Sequence, residues 1–182
     1  ESLERARQYY LSSARKLSAA RAKAARALDQ AVSHELAPLR LDKARFRTNV
    51  EELDEKHWGA HGIDQVEFAV ATNPSQALGP ISRIASGGEM ARFMLALKVT
   101  LSESCRVPTV VFDEVDSGIG GATAAAVGER LRRLGERIQV LVVTHSPQVA
   151  ALGATHWRVT KIEGGDGDDL HSVTHVDQLS AS

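Results

Sequence analysis

Two adjacent carboxylates, Asp113 and Glu114, follow a short apolar segment and are well placed for chemistry. The segment from Thr109 to Phe112 contains β-branched and aromatic residues, a pattern that predicts a buried strand. Ligand sites of open α/β sheets lie at the carboxyl ends of strands, and successive strand residues point to opposite sides. One acid can therefore hold a metal ion while the other faces a different atom of the substrate. A solvent-exposed turn shows the same pattern, so only the other motifs can distinguish a ligand site from such a turn.

A Ser-Gly-Gly-Glu motif occupies residues 86–89, and apolar residues at helical spacing follow over residues 89–101. Gly87 and Gly88 allow backbone N–H groups to approach an anion, the Ser86 hydroxyl adds a donor, and the helix dipole favours negative charge. Ser86 followed three residues later by Glu89 is also a capping box. The motif therefore predicts either an anion-binding loop or an ordinary helix start.

A second short strand is predicted over residues 138–143, after an Ala-rich helix over residues 122–133. A strand, a helix and a strand of these lengths form a right-handed parallel crossover. The strands then end at one edge of the sheet, where Asp113, Glu114 and His145 come together. We expect His145 to contact the substrate. Further along, residues 156–162 and 170–176 alternate like the strands of a hairpin.

The chain opens with a long helical segment, Ser2 to about Leu36, which contains no Gly or Pro and ends before Pro38. At about 1.5 Å per residue it extends on the order of 50 Å, which is too long for the rest of the chain to cover. A seam of small and apolar residues predicts a partner helix outside this sequence, as in an antiparallel coiled coil. We divide the chain into an arm, residues 1–40, and a lobe, residues 41–182. The seam comprises Leu3, Ala6, Tyr10, Leu17, Ala20, Ala24, Ala27 and Ala31.

Composition and charge narrow the class of protein. Hydrophobic residues make up 43% of the 182 residues, no apolar run approaches the roughly 18 needed to span a bilayer, and no signal peptide is evident. The single cysteine, Cys105, excludes an internal disulfide and indicates a reducing cytoplasm and a buried structural thiol. Residues 1–47 carry eleven Lys and Arg against five acids, a net charge of +6, which leaves −7 for the remainder. This basic N-terminal segment either contacts the phosphates of a nucleic acid or is a helix whose Lys and Arg side chains are solvated.

Taken together, three motifs in fixed order resemble ABC-type ATPases: the signature loop at residues 86–89, the Walker B segment at residues 110–114 with the D-loop at residues 115–121, and a switch histidine, His145. A long helix that enters just before the signature loop resembles SMC-type ATPases. The amino-acid sequence of residues 46–162 is similar to sequences of the RecN family, which are bacterial SMC-like ATPases for DNA double-strand-break repair. The fold implied is α/β, the carboxyl-terminal lobe of an ABC-type head, with a parallel sheet flanked by helices and a long N-terminal coiled-coil helix.

The resemblance also implies roles. Asp113 would bind Mg²⁺, Glu114 would polarise the attacking water, and His145 would lie near the γ-phosphate. Two heads would form a homodimer around ATP, and the residues implied in nucleotide binding are Ser86, Gly87, Gly88, Glu89 and Asp116. The family implies double-stranded DNA as a partner and a bacterial, nucleoid-associated cytoplasmic location without membrane contact.

A P-loop sequence, G-x-x-x-x-G-K-[ST], does not occur in the printed sequence. We therefore expect the amino-terminal half of the same protein to supply it, and we expect this chain alone not to hydrolyse ATP. Two alternatives remain open: a transport or translation ATPase of the ABC type, and a non-catalytic coiled-coil scaffold. The intact Asp113–Glu114 pair argues against the scaffold.

Overall fold

A computed structural model describes residues 2–84, 86–102, 107–164 and 171–180. Cys105, expected to be a buried thiol, lies outside these residues, as does most of the acidic turn between the last two predicted strands. The chain begins with helix α1, Ser2–Leu36, which is the predicted continuous helix. A 3₁₀ turn, Ala37–Leu39, carries Pro38 and ends the helix. Arg40 then takes a left-handed backbone conformation with φ of 58°, which turns the chain toward the lobe.

A three-stranded antiparallel sheet follows, in the order β1, Arg45–Glu52, then β2, Asp64–Ala71, then β3, Gly79–Pro80. Strand β2 carries Val66, Phe68 and Val70 in alternation with Glu67 and Ala69, a pattern typical of a strand. Strand β1 was not expected, and it pairs with β2 along its whole length, from Arg45 opposite Ala71 to Glu52 opposite Asp64. The sheet therefore gives the lobe a long hairpin that the sequence did not reveal.

The β1–β2 hairpin runs along one face of α1. The Tyr10 hydroxyl donates to the Gly62 carbonyl at 3.2 Å, and the Ser18 hydroxyl donates to Asp64 at 2.7 Å. Further along the helix, the backbone N–H of Thr48 donates to Asp29 Oδ1 at 2.7 Å. The expectation that the helix is too long for the rest of the chain to cover is wrong for this face, because the unforeseen hairpin supplies the cover.

The face of α1 that packs inward differs from the predicted seam. Ala14, Ala25 and Val32 are buried, whereas Leu3 and Leu17 of the predicted seam are 83% and 40% exposed. Alanine is so frequent along α1 that spacing alone could not distinguish these two faces. Apart from the half-buried Tyr10, the predicted seam is exposed. A partner helix from outside this sequence therefore stays a prediction.

The remaining elements form the α/β part of the lobe. They are α2, Gly87–Thr100, then β4, Thr109–Phe112, then α3, Gly121–Gly135, then β5, Gln139–Val142, and the short α4, Pro147–Ala150. Strands β4 and β5 are parallel, with Thr109 opposite Gln139 and Phe112 opposite Val142. The predicted parallel crossover is confirmed.

One continuous core joins the arm to this part of the lobe. Leu36 from the end of α1 and Leu39 from the following turn are buried with Phe93 of α2 and Val127 of α3. Burial of such side chains contributes about 1.5–3 kcal/mol each, so this junction is held by apolar packing. The base of the arm therefore shares the core of the lobe, and the division at residue 40 stays a prediction.

The outer face of the β4–β5 sheet is apolar and open. Val111, Leu141 and Val143 are 61%, 49% and 61% exposed. A parallel sheet normally has both faces covered, and two strands alone leave unpaired edges.

The last two strands, β6, His156–Gly164, and β7, His171–Leu179, form the expected antiparallel hairpin, although its strands run a few residues further than predicted.

Candidate functional site

The carboxyl ends of β4 and β5 bring the predicted site residues to one edge of the sheet. The backbone N–H of Val143 donates to the Phe112 carbonyl at 2.9 Å, so the chain after β5 leaves the sheet beside the chain after β4. The first of these segments carries His145, and the second carries Asp113 and Glu114. The juxtaposition expected from a parallel crossover is therefore present.

Asp113 and Glu114 differ in backbone conformation although they are neighbours. Glu114 has a φ of 56°, in the left-handed region that disfavours residues with a side chain. Asp113 Oδ1 accepts a hydrogen bond from the Glu114 N–H at 2.9 Å, which helps to hold this turn. Both side chains are exposed. Strain of about 1–3 kcal/mol at a non-glycine residue is typical of functional sites, where it fixes the direction of a side chain.

Asp116 of the D-loop points into the protein and is 1% exposed. Its Oδ2 atom accepts hydrogen bonds from Thr144 Oγ1 at 2.5 Å, from the Ser146 N–H at 3.1 Å and from the His145 N–H at 3.3 Å. Burial opposes ionisation of this carboxyl, but the hydrogen bonds from Thr144 and from backbone groups outweigh it and lower the pKa of Asp116. A carboxylate in this position holds the segment after β5, and the implied role of Asp116 in nucleotide binding stays a prediction.

His145 is the exposed member of the same cluster, with 83% of its side chain accessible. Its Nδ1 atom lies 3.7 Å from Asp116 Oδ2, while its backbone N–H is bound by the same oxygen. The imidazole is therefore free to meet a ligand, and its base is anchored to a buried carboxylate. Ser146 is buried and donates its hydroxyl to Gln148 Oε1 at 3.0 Å.

The signature loop lies at the start of α2, which begins at Gly87. Ser86 is the N-cap, and its hydroxyl accepts a hydrogen bond from the Glu89 N–H at 3.4 Å. The capping interpretation is therefore confirmed on the Ser86 side. It leaves the anion interpretation open, because a capped helix start still directs unpaired N–H groups and the positive end of the dipole outward.

The two glycines of the signature loop allow it to pack closely against the segment after β4. A Cβ atom on Gly87 would lie 2.5 Å from Glu114 Oε2, and one on Gly88 would lie 3.0 Å from Ser117 Cβ and 3.3 Å from the Glu114 carbonyl oxygen. A side chain at Gly88 would require Ser117 or the Glu114 backbone to shift by a few tenths of an ångström, whereas the exposed Glu114 side chain could turn away from one at Gly87. The signature loop, the Glu114 turn and the D-loop therefore form one packed unit.

Sequence reasoning missed Arg92, which is 6% exposed and belongs to this unit. Its Nη1 atom donates to the Ser117 carbonyl of the D-loop at 3.0 Å. The sequence could have indicated its burial only through its position, one helical turn after Gly88 and directly before the core residue Phe93.

Comparison with solved structures defines the class of fold. The chain is similar to the Smc head domain of Pyrococcus yayanosii, solved with a coiled coil and joint, with a TM-score of 0.57, 21% identity, and coverage of 85% of this chain and 27% of that chain. The Smc head domain of Pyrococcus furiosus, solved with an extended coiled coil and bound to the C-terminal domain of ScpA, gives a TM-score of 0.56 at 19% identity, over 85% of this chain and 35% of that one. The fold is therefore the predicted α/β fold of SMC heads, with a long N-terminal helix and a small parallel sheet.

Comparison with curated proteins identifies a more particular relationship. The chain is 45% identical over 147 residues to the DNA repair protein RecN of Rickettsia bellii and 46% identical over 146 residues to that of Vibrio cholerae. These matches cover 81% and 80% of the chain and 26% of each relative. The chain is a homologue of the RecN DNA repair proteins and spans about a quarter of their length.

Two further comparisons gave negative results. No family model matches the chain. Within the part of the chain that the structure describes, no helix combines the length and the apolar character that a membrane crossing requires.

Proposed function

We propose that this chain is one part of an ATP-hydrolysing head in a DNA repair protein of the RecN type. It contributes the signature loop, the Walker B acids and the switch histidine, and another part of the protein contributes the P-loop. The observation that carries this proposal is the cluster at the carboxyl edge of β4 and β5, where Glu114 packs on the signature loop and Asp116 anchors His145. Three motifs separated in sequence meet there in one packed unit.

The donors at this edge fit a magnesium nucleotide. Mg²⁺ in such sites takes one or two carboxylates and completes its shell with phosphate oxygens and water. Asp113 is exposed at the strand end, and its Oδ1 accepts from the Glu114 N–H, which leaves Oδ2 for a cation. When bound, Mg²⁺ would neutralise charge on the phosphates.

The chemical roles of the remaining residues follow from their positions. Glu114, held in a left-handed turn, accepts a proton from the attacking water as the general base. His145, exposed beside it in the next loop, donates a hydrogen bond to the terminal phosphate. Ser86, Gly87 and Gly88 present the start of α2 to the phosphate of an ATP molecule held by a second head, with Glu89 in the first turn. Two ATP molecules then lie between two heads.

The open face of the β4–β5 sheet supports a composite head. Val111, Leu141 and Val143 expose apolar surface that a monomeric protein usually covers. A further lobe that contains the P-loop strand would cover this face and supply the phosphate cradle that the sequence lacks. The similarity to RecN repair proteins, of which this chain spans about a quarter, favours a repair role over transport or translation. Double-stranded DNA is the proposed partner.

The test uses Ser86→Arg in the complete protein. An arginine at this helix start fills the space that the γ-phosphate needs, so we expect ATP-driven dimerisation to be lost. ATP still binds each separate head, since the P-loop contacts do not involve Ser86. Nucleotide affinity and sedimentation on the same preparation separate these two events.

Ser75→Arg, at an exposed turn between β2 and β3, is the matched control and should dimerise like the unmodified protein. Dimerisation of the Ser86→Arg protein with ATP would show that the signature loop is only a capped helix start. An unmodified protein that neither binds nor hydrolyses ATP would overturn the proposed function as a whole.

A further inference from the structure

Arg92 joins two segments that the proposed reaction uses separately. It lies on α2, one turn after Gly88, and its Nη1 atom donates to the carbonyl of Ser117 in the D-loop at 3.0 Å. A Cβ atom on Gly88 would lie 3.1 Å from the same Nη1 atom and 3.0 Å from Ser117 Cβ. The guanidinium therefore lies at the contact between α2, which we call the signature helix, and the D-loop.

This placement is costly for an arginine. The side chain is 6% exposed, and its Nε atom has no hydrogen-bond partner within the described residues. Burial lowers the pKa of Arg92, an effect that the charge of Glu89 opposes and the charge of Arg40 reinforces. Within the described ranges, no carboxylate forms an ion pair with it. A buried cation without an ion-pair partner does little for stability, so its contact with the D-loop has to be explained in another way.

The D-loop is held at consecutive positions by different parts of the fold. Asp116 binds the segment that carries His145, and Arg92 binds the carbonyl of Ser117. The next carbonyl, that of Gly118, accepts a hydrogen bond from Arg40 at 3.4 Å, and Arg40 is the last residue of the arm. The D-loop thus connects the switch histidine, the signature helix and the arm.

We propose that Arg92 is a positioning residue that fixes the D-loop to the signature helix, so that engagement of the signature loop in one composite site is transmitted to Glu114 and His145, which serve the other. The inference rests on the proposed function, because it requires two composite sites. The physical link is short: Gly88 and Ser117 are in contact, Arg92 locks them together, and Asp116 continues the link to His145. Without Arg92 the signature loop can dock without repositioning the catalytic edge of the same head.

The primary variant is Arg92→Met in the complete protein. Methionine keeps most of the side-chain volume and removes a poorly paired buried charge, so the head is expected to fold. Arg92→Lys restores a donor that can reach the Ser117 carbonyl. Arg132→Met removes an exposed arginine of α3, which binds only Glu129 and Glu136 among the described residues, and serves as the control.

The first measurement is amide hydrogen exchange of the D-loop without nucleotide, which does not depend on ATP turnover. The N–H groups of Ser117 and Ile119 are bound to the carbonyls of Glu114 and Asp116, so they report opening of this loop. Loss of one hydrogen bond from a charged donor should speed their exchange by about tenfold in Arg92→Met. Arg92→Lys should recover most of the protection, and Arg132→Met should leave it unchanged.

The second measurement is the ATP dependence of turnover. We expect Arg92→Met to bind ATP in separate heads normally but to lose cooperativity, with a Hill coefficient near 1, and Arg92→Lys to restore it. Unchanged D-loop exchange, or unchanged cooperativity in Arg92→Met, would overturn the role of Arg92 while the proposed function stands. An unmodified protein without cooperative turnover would overturn the coupling between sites, and one without any ATPase activity would overturn the proposed function as well.

Discussion

Thr144 Oγ1 donates a hydrogen bond to Asp116 Oδ2 at 2.5 Å, although the two residues lie 28 positions apart in sequence. The same carboxylate oxygen accepts the backbone N–H of Ser146, and the exposed His145 lies between these two residues. The segment that carries His145 is therefore held by a buried acid of the neighbouring loop. This relationship leads to the first prediction.

Asp116→Ala should loosen the segment that carries His145. The substitution removes the acceptor of the Thr144 hydroxyl and of the His145 N–H, and it leaves the Ser146 N–H with only Thr144 Oγ1 at 3.0 Å. An unsatisfied buried group costs about 1–3 kcal/mol. We expect amide exchange of Ser146 to accelerate by about tenfold or more and turnover to fall, while ATP affinity stays near that of the unmodified protein. Unaltered exchange at Ser146 would contradict the anchoring role.

The pH dependence of this effect has a definite sign. The pKa of Asp116 is lowered in the folded protein, since hydrogen bonds favour its ionised form despite burial. The unfolded protein therefore binds a proton more readily than the folded one, and the stabilisation by this carboxylate is complete above the ordinary value of about 3.9. It is lost as the pH falls below that value and through the folded pKa. The difference in Ser146 protection between the unmodified protein and Asp116→Ala should thus be constant from pH 5 to 7 and shrink below about pH 4.

The edge that carries Asp113, Glu114 and His145 could be predicted from the sequence, because two short apolar strands joined by a helix allow little besides a parallel crossover. The inward direction of Asp116 could not, since it depends on a hydrogen bond to Thr144 in another loop. Arg92 was missed for a related reason. A charged residue in an amphipathic helix normally faces solvent, and only the packed D-loop reveals that this one does not.

The arm shows the same limit at a larger scale. The bounds of α1 could be predicted because a segment without Gly or Pro and rich in helix formers has few alternatives. Its buried face could not, since that face is chosen by the β1–β2 hairpin. Strand β1 alternates too weakly to be recognised, with polar Thr48 sharing a side with Phe46 and Val50. Pairing of β1 with β2 is a tertiary effect, and it decides which alanines of α1 are covered.

Glu114→Gln tests the general base. The amide keeps the shape of the side chain but cannot accept the proton of the attacking water. In the complete protein we expect kcat to fall by roughly 10²–10⁴ while ATP binding remains nearly intact. Steady-state turnover together with equilibrium nucleotide binding provides the check. Turnover within about threefold of the unmodified protein would remove Glu114 from this role.

Arg21 and Asp64 form the partly buried ion pair that fastens the arm to the hairpin. Arg21 Nη1 lies 3.1 Å from Asp64 Oδ2, and the side chain of Asp64 is 2% exposed. Arg21→Ala leaves Asp64 with Ser18 as its remaining side-chain donor within the described residues, and breaking such a pair costs about 3–5 kcal/mol. We expect faster amide exchange in α1 and β2, whereas the exposed Arg26→Ala should change little. Equal protection in both variants would mean that apolar packing alone fixes the arm.

The basic arm allows a direct test of DNA binding, and the structure determines which residues to replace. Arg21 is committed to Asp64 and to the His61 carbonyl, so it is a poor choice for a phosphate contact. Lys16, Lys23 and Arg26 are exposed and fall within about 80° of one another around a helix with 3.6 residues per turn.

Replacing Lys16, Lys23 and Arg26 together with Glu should weaken DNA binding at low salt. It should also reduce the slope of log K against log salt concentration by about 0.9 for each phosphate contact that is lost on duplex DNA. Binding isotherms at several salt concentrations provide the measurement. Lys43→Glu combined with Lys161→Glu changes exposed cations outside α1 and should leave the slope nearly unaltered if the arm holds the DNA. A slope that is the same in the arm variant and in the unmodified protein would show that these cations form a solvated helix face and that any DNA contact lies elsewhere.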